Sequence, residues 1–337
     1  MNWEKIEIVN DQGECVNAQA PVIISASRST DIPAFYADWF VDRWKIGYVK
    51  WKNPFNSEYL YVSFQNARAV VFWSKNPKPL LKHIGFLNEY VKNYYFQFTL
   101  NDYEKEGYEG NLPPLESRLK TFKALSSMIG KDKVIWRFDP MLLTQDIDVN
   151  ELLERVKRIG DQLKDYTEKL VFSYADIHIY RKVESNLQKE QIDYKEFKED
   201  DMICFARGLQ ELNKNWGLEL ATCAEKIPLE QFGIQHNKCV DDDQLIKLFQ
   251  NDRKLMDFLG VEVIQPDLFS EDLEFNKTRK LKDKGQRELC GCIFSKDIGQ
   301  YNTCPHECVY CYANTSKEKA IENYKNFIKK PNTDMII

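Results

Sequence analysis

The chain has 337 residues, and its 47 basic against 52 acidic side chains give a formal charge of −5, which excludes a global electrostatic pull toward nucleic acid. Apolar content of 43%, with 20 Phe, 17 Tyr and 7 Trp, is enough for a sizeable core, yet no apolar run approaches the ~18 residues of a membrane span, so no membrane partner is expected. The N-terminus (MNWEKIEIVNDQGE) has neither the basic start nor the apolar stretch of a secretory signal. Nine cysteines in that context point to a reducing, cytoplasmic setting, where thiols bind metal rather than pair.

Along the chain, short β-rich apolar runs alternate with helical patterns. The runs are VIISA (22–26), AVVFW (69–73), YFQFT (95–99), VIWRF (134–138), LVFSY (170–174) and LELAT (218–222). Each is nearly all apolar, as expected for strands covered on both faces. Helices are expected near 33–46, 78–92, 114–129, 149–164 and 194–214. Such alternation implies parallel strands with right-handed crossovers. The expected fold is α/β: a partial or complete parallel (β/α) barrel, TIM-like, over residues 1–270. A doubly wound sheet is the alternative. Residues 47–64 read as an inserted hairpin with Asn53-Pro54 and Asn56-Ser57 as turn formers. VEVIQP (261–266) is a candidate seventh strand. A basic linker (271–289) follows, containing NKTRKLKDKGQR, and then a cysteine-rich extension (290–337). The linker reads as a solvated connection, with a phosphate or nucleic-acid contact as its sharper alternative.

Chemistry in parallel barrels sits where strands end. The ends of the six runs supply Ser25, Ser27, Arg28, Thr30 and Asp31, then Lys75 and Asn76, then Thr99 and Asn101. Arg137 and Asp139, Ser173 and Asp176, and Cys223 and Glu225 complete the set. Arg28 and Arg137 suit bidentate contact with a carboxylate or phosphate. Simpler roles compete: Asp31 before Ile32-Pro33 is a natural helix N-cap, Arg137 and Asp139 at i, i+2 can pair, and Asn76 before Pro77 can shape a turn. The chain has no Gly-x-Ser-x-Gly, and its four histidines offer few bases for a hydrolase.

The most informative segment is Cys304-Pro-His-Glu-Cys308-Val-Tyr-Cys311-Tyr312. Three thiolates within eight residues can converge on one iron–sulfur cluster. An all-cysteine cubane takes four, so a triplet leaves one iron open. The competing reading is a structural zinc knuckle. Of the other cysteines, Cys15 and Cys204 stand alone. Cys223, Cys239, Cys290 and Cys292 either form a second metal site, supply a fourth ligand to the first, or remain free thiols.

The triplet, with Tyr310 before its last cysteine, resembles the Cys-x3-Cys-x2-Cys signature of radical S-adenosylmethionine enzymes. The resemblance implies a [4Fe–4S] cluster on Cys304, Cys308 and Cys311. Its open iron would take the amino and carboxylate groups of S-adenosylmethionine, with Tyr310 near the adenine. It further implies reductive cleavage to a 5′-deoxyadenosyl radical and a reductant such as flavodoxin or ferredoxin. Two features depart from that pattern. Cys311 lies 26 residues before the chain's last residue, and there is no Gly-Gly-Glu run to hold the amino group. The tail must therefore fold over the barrel mouth to replace the first-strand loop. The strand ends supply the expected catalytic set, Arg28, Asp31, Lys75, Arg137, Asp139 and Glu225, with Asn76 and Ser25 expected, like Tyr310, toward the cofactor. The phrases SASRSTDIPAFY (25–36), FWSKNP (72–77), WRFDP (136–140), TCAE (222–225) and CGCIFSKDIGQYNTCPHECVYCYA (290–313) resemble the bacterial domain-of-unknown-function family 1848. An iron–sulfur electron carrier or redox sensor, with Cys290 or Cys292 on the fourth iron, remains one alternative. A zinc-knuckle nucleic-acid module is the other.

Overall fold

The computed structural model describes residues 3–223, 225–264 and 274–337. The six apolar runs form strands: β1 (Ile23–Ala26), β2 (Ala69–Ser74), β3 (Tyr94–Thr99), β4 (Val134–Met141), β5 (Lys169–Tyr174) and β6 (Glu219–Thr222). Two short strands extend the sheet, β7 (Ile234–His236) beside β6 and β8 (Lys296–Asp297) beside β1. The result is an eight-stranded sheet in the order β8–β1–β2–β3–β4–β5–β6–β7, with every neighbouring pair parallel. From β1 to β7 the spatial order follows the chain, without the reversal that a doubly wound sheet requires. Strands β7 and β8 are not paired with each other, so the hydrogen-bonded sheet is not a closed ring.

The pleat sorts side chains onto two cores. One face carries Ile24, Val70, Phe72, Phe96, Trp136, Phe138 and Phe172, packed against the crossover helices through residues such as Phe40, Phe122, Val156 and Phe205. The other carries Ile23, Val71, Tyr95, Ile135, Val171 and Ala221, covered by Leu245, Ile246, Phe249, Leu255, Met256 and Leu259. Those covering residues come from the helices Asp242–Phe249 and Arg253–Leu259. Burial on both faces is why the strands read as unbroken apolar runs. The crossover helix Val149–Leu163 follows the same logic: Leu152, Val156, Ile159 and Leu163 share one face, and the Asp148 side chain accepts from the Glu151 N–H as its N-cap.

Several elements differ from expectation. Residues 78–91 form a helical stretch of mixed pitch rather than one α-helix. A helix at Arg181–Lys189 lies in a segment where no element was expected, and the next begins at Glu199, not 194. The 47–64 hairpin is present (Tyr48–Lys52 antiparallel to Tyr59–Ser63), but it belongs to a four-stranded sheet with Lys5–Val9 and Cys15–Gln19. Val261–Ile264 is a strand outside the large sheet, paired antiparallel with Glu274–Lys277. The seventh strand of the large sheet is β7. Gln265 and Pro266 of that candidate, and linker residues 271–273, lie outside the described residues.

The extension is bound into the fold. It supplies β8, and its helix Lys317–Lys329 packs Phe327 edge-on against Tyr36 at 4.7 Å. The hairpin Trp51 donates from Nε1 to the Gly299 carbonyl at 2.8 Å. Beside it, the Lys296 ammonium sits 3.3 Å from the Trp51 ring centroid. Burial lowers Lys296 to about 8, against about 10.4 for an unfolded lysine. Below pH 8 both states are charged and the folded state carries the full desolvation cost. Between pH 8 and 10.4 the unfolded chain holds more protons, so stability rises with pH. Lys296→Met is therefore expected to stabilise the protein at pH 7 by up to about 3 kcal/mol, less what the Trp51 face recovers, with the gain shrinking toward pH 10. Urea midpoints at pH 7, 9 and 10 test this. A pH-independent difference would assign Lys296 an ordinary pKa.

Candidate metal centre and cavity

The carboxyl ends of the strands open onto a cavity of about 390 Å³. Its wall brings together Arg28, Asp31, Lys75, Arg137 and Asp139 from the strand ends with Cys304, Cys308, Tyr310 and Cys311 from the tail. Cys223, Cys239, Cys290 and Cys292 line the same cavity. Ser25, Asn76 and Glu225 are not among the lining residues. The Ser25 hydroxyl donates to Asp297 at 2.7 Å, and the Asn76 N–H donates to the Ser74 hydroxyl at 3.0 Å. Glu225 accepts from the Tyr174 N–H at 3.0 Å, and burial raises its carboxyl to about 8.

One residue that no motif singled out fastens the tail to the first-strand loop. Asp297 accepts from the hydroxyls of Ser25 (2.7 Å), Ser27 (2.8 Å) and Ser29 (3.2 Å), and from the N–H groups of Arg28 (2.7 Å) and Gly299 (2.9 Å). A Cβ on Gly299 would fall 1.9 Å from the Ser27 hydroxyl, so only glycine permits this approach. The serine-rich loop thus needs a carboxylate acceptor, and the tail brings it.

Asp31 is an N-cap, accepting from the Ala34 N–H at 3.0 Å, and it does more. Its other oxygen accepts from the Lys75 N–H at 2.8 Å and lies 2.7 Å from His306 Nε2, so it joins two strand-end loops to the triplet loop. His306 is buried, and its Nδ1 has no hydrogen-bond partner. Lys75 donates to Glu109 at 2.7 Å and to the Tyr310 hydroxyl at 2.9 Å. Tyr310 donates in turn to Glu109, which also faces Arg118 at 3.5 Å. Burial opposes charge on Glu109, yet Lys75 and Arg118 hold its carboxyl below the usual range. Two buried cations against one carboxylate leave a net positive field beside Cys308.

That field bears on what the triplet can hold. Burial pushes the thiols of Cys304, Cys308 and Cys311 up, and Lys75 offsets part of this at Cys308 and Cys311. Buried thiolates need a cationic partner, as a metal cluster provides. Spacing bears on which one. Zinc–sulfur bonds near 2.3 Å put tetrahedral sulfurs about 3.8 Å apart. Among the described residues, no three cysteine sulfurs all lie within 4.8 Å of one another. The three triplet sulfurs are therefore not gathered at the spacing of a mononuclear zinc site.

The arginines divide. Arg137 is committed, donating to Asp139 (3.1 Å from Nε) and Gln97 (3.1 Å from Nη1), so it does not offer the free fork expected of it. Ser173 donates to the other Asp139 oxygen. Arg28 differs. Its Nη2 donates to Ser295 at 3.2 Å, its guanidinium lies 3.9 Å from both Asp283 and Asp297 and 5.8 Å from the Trp73 ring centroid, and its buried Nη1 has no hydrogen-bond partner. The linker's cations are partly spent: Lys277 pairs with Asp242 at 2.8 Å and with Asp243, and Arg287 pairs with Asp176 at 3.0 Å. The oxygens of Asp241, Asp242 and Asp243 approach one another, but Lys238 and Lys277 neutralise them.

The fold and site define an α/β protein with a large parallel sheet and a cysteine-lined cavity at its strand ends. The chain belongs to the domain-of-unknown-function family 1848 (DUF1848), whose model matches residues 23–313. No curated protein matches the sequence. Among solved structures, one assigned as an alpha-L-fucosidase from Bacteroides thetaiotaomicron is similar at 12% identity, covering 57% of this chain and 83% of its own, with a TM-score of 0.24. Among the described residues, no helix is long and apolar enough to cross a membrane.

Proposed function

We propose that this protein is a radical S-adenosylmethionine enzyme built on an open parallel (β/α) barrel, with its C-terminal tail folded over the mouth. The observation that carries this reading is how the cysteines sort. Cys292 accepts from the Cys239 N–H at 3.1 Å, and Cys223 and Cys239 sulfurs lie 3.1 Å apart. Cys292 thus keeps company with Cys239 rather than with the triplet. Cys304, Cys308 and Cys311 remain a set of three, and three thiolates leave one iron of a cubane without a cysteine.

The three cysteines would hold a [4Fe–4S] cluster, which when reduced by a flavodoxin- or ferredoxin-type partner supplies the electron for S-adenosylmethionine cleavage. The chain's own groups supply the rest. Arg28 Nη1, buried and unpaired on the cavity wall, is a ready donor for a carboxylate, whether of S-adenosylmethionine or of substrate. Lys75 and Arg118 offset the negative charge of a thiolate-bound cluster. Tyr310 is held by Glu109 and Lys75, which fixes the loop between the last two cysteines.

The test is anaerobic incubation of iron-loaded protein with dithionite and S-adenosylmethionine. Release of 5′-deoxyadenosine, even slow and without substrate, is the expected result. A loaded cluster that binds no S-adenosylmethionine and yields no 5′-deoxyadenosine would make the protein an electron carrier or redox sensor instead.

A further inference from the structure

We propose that Cys223, Cys239, Cys290 and Cys292 form a second metal centre, a polynuclear iron–sulfur cluster fully ligated by cysteine on the wall of the same cavity. The four come from three separate places: the end of β6, the segment after β7, and the Cys-Gly-Cys pair upstream of β8. They pack against the core of Ile23, Val71 and Tyr95, whereas Cys308 and Cys311 pack with the core of Ile24, Phe72 and Phe96. The two groups are therefore distinct, and this inference stands whether or not the triplet takes S-adenosylmethionine.

Several N–H donors converge on these sulfurs. Arg137 donates from Nη1 to Cys239 at 3.2 Å and from Nη2 to Cys223 at 3.6 Å. Asn237 Nδ2 lies 3.3 Å from Cys223 and 3.4 Å from Cys239. The Cys239 N–H donates to Cys292 at 3.1 Å. A neutral thiol is a weak acceptor, so N–H groups gathered on three sulfurs match metal-bound thiolates, and such bonds tune iron–sulfur centres. No three of these sulfurs all lie within 4.8 Å of one another, which is looser than the sulfurs around a single tetrahedral zinc and leaves room for more than one iron.

The experiment uses the full chain, reconstituted anaerobically with iron and sulfide. Native mass spectrometry of the wild type should find clearly more than the ~4 irons of one cubane. A variant with Cys304, Cys308 and Cys311 all changed to Ala should keep the remaining iron and sulfide. Within that background, Arg137→Lys should shift the midpoint potential of the retained centre, because hydrogen bonds to its sulfurs are lost, while iron content stays constant. Any one of three results would overturn the proposal: wild-type iron that stops at one cubane, a single zinc bound in place of the second cluster, or a Cys223–Cys239 disulfide in anaerobically prepared protein.

Discussion

Glu109→Ala is expected to destabilise the protein by about 3–5 kcal/mol, the cost of removing one partner from a buried ion pair. Glu109 is almost fully buried, and its carboxylate is the shared acceptor of Lys75, Tyr310 and Arg118. Its removal strands an ammonium and a guanidinium inside the protein and leaves the Tyr310 hydroxyl without its acceptor. Two states of the same site separate this effect from simple loss of packing. Glu109→Gln keeps the volume and should recover little, because the missing term is charge. Lys75→Met combined with Glu109→Leu should recover only part of the loss, since it removes the stranded ammonium but leaves the Arg118 guanidinium and the Tyr310 hydroxyl without their acceptor. Guanidinium unfolding of the four proteins decides it. A loss under 1 kcal/mol for Glu109→Ala would mean that water reaches the site and solvates Lys75.

The large sheet was legible because both of its faces are covered. Ile23–Ala26 and Lys169–Tyr174 are buried at every position, so their apolar runs stand out without any alternation. The N-terminal strands Lys5–Val9 and Cys15–Gln19 are half-exposed and polar, and only the weak alternation of Ile6 and Ile8 before the Asn10–Gly13 turn could have marked them. Strand β8 has two residues and no periodicity. Its place follows from pairing with β1 about 270 residues earlier, as the Ser25–Asp297 bond with its separation of 272 illustrates.

The site divides along the same line. Local spacing announced Cys304, Cys308 and Cys311, and position at strand ends selected Arg28, Lys75 and Arg137. What each group is engaged with was not readable, because the partners arrive from distant segments. Glu109 lies in an irregular loop with no motif, yet it commits Lys75. Cys239 and Cys292 meet across 53 residues, and no sequence spacing encodes that approach. Pairing of Arg137 with Asp139 was open to local reasoning, since i, i+2 residues on a strand face the same side.

Cys308→Ala should remove nearly all triplet-bound iron and reduce 5′-deoxyadenosine release to the limit of detection. A three-cysteine site has no spare ligand, and loss of one leaves two thiolates for a cluster that needs three from the protein. The fold should survive. Cys308 is buried, but exchanging a thiol for a methyl removes one atom, and its backbone pairing with Glu109 is unaffected by the change. Its absence should leave the field of Lys75 and Arg118 without the cluster it offsets, so a modest loss of stability, on the order of 1 kcal/mol, is expected alongside. The exposed Cys204 provides the control: Cys204→Ala should change neither iron nor turnover. Iron remaining after Cys308→Ala should match, within error, the amount held when all three triplet cysteines are replaced. If single and triple variants differ instead, with the single variant holding a full cubane, another residue completes the cluster. The open iron, and with it the case for S-adenosylmethionine, would then fall.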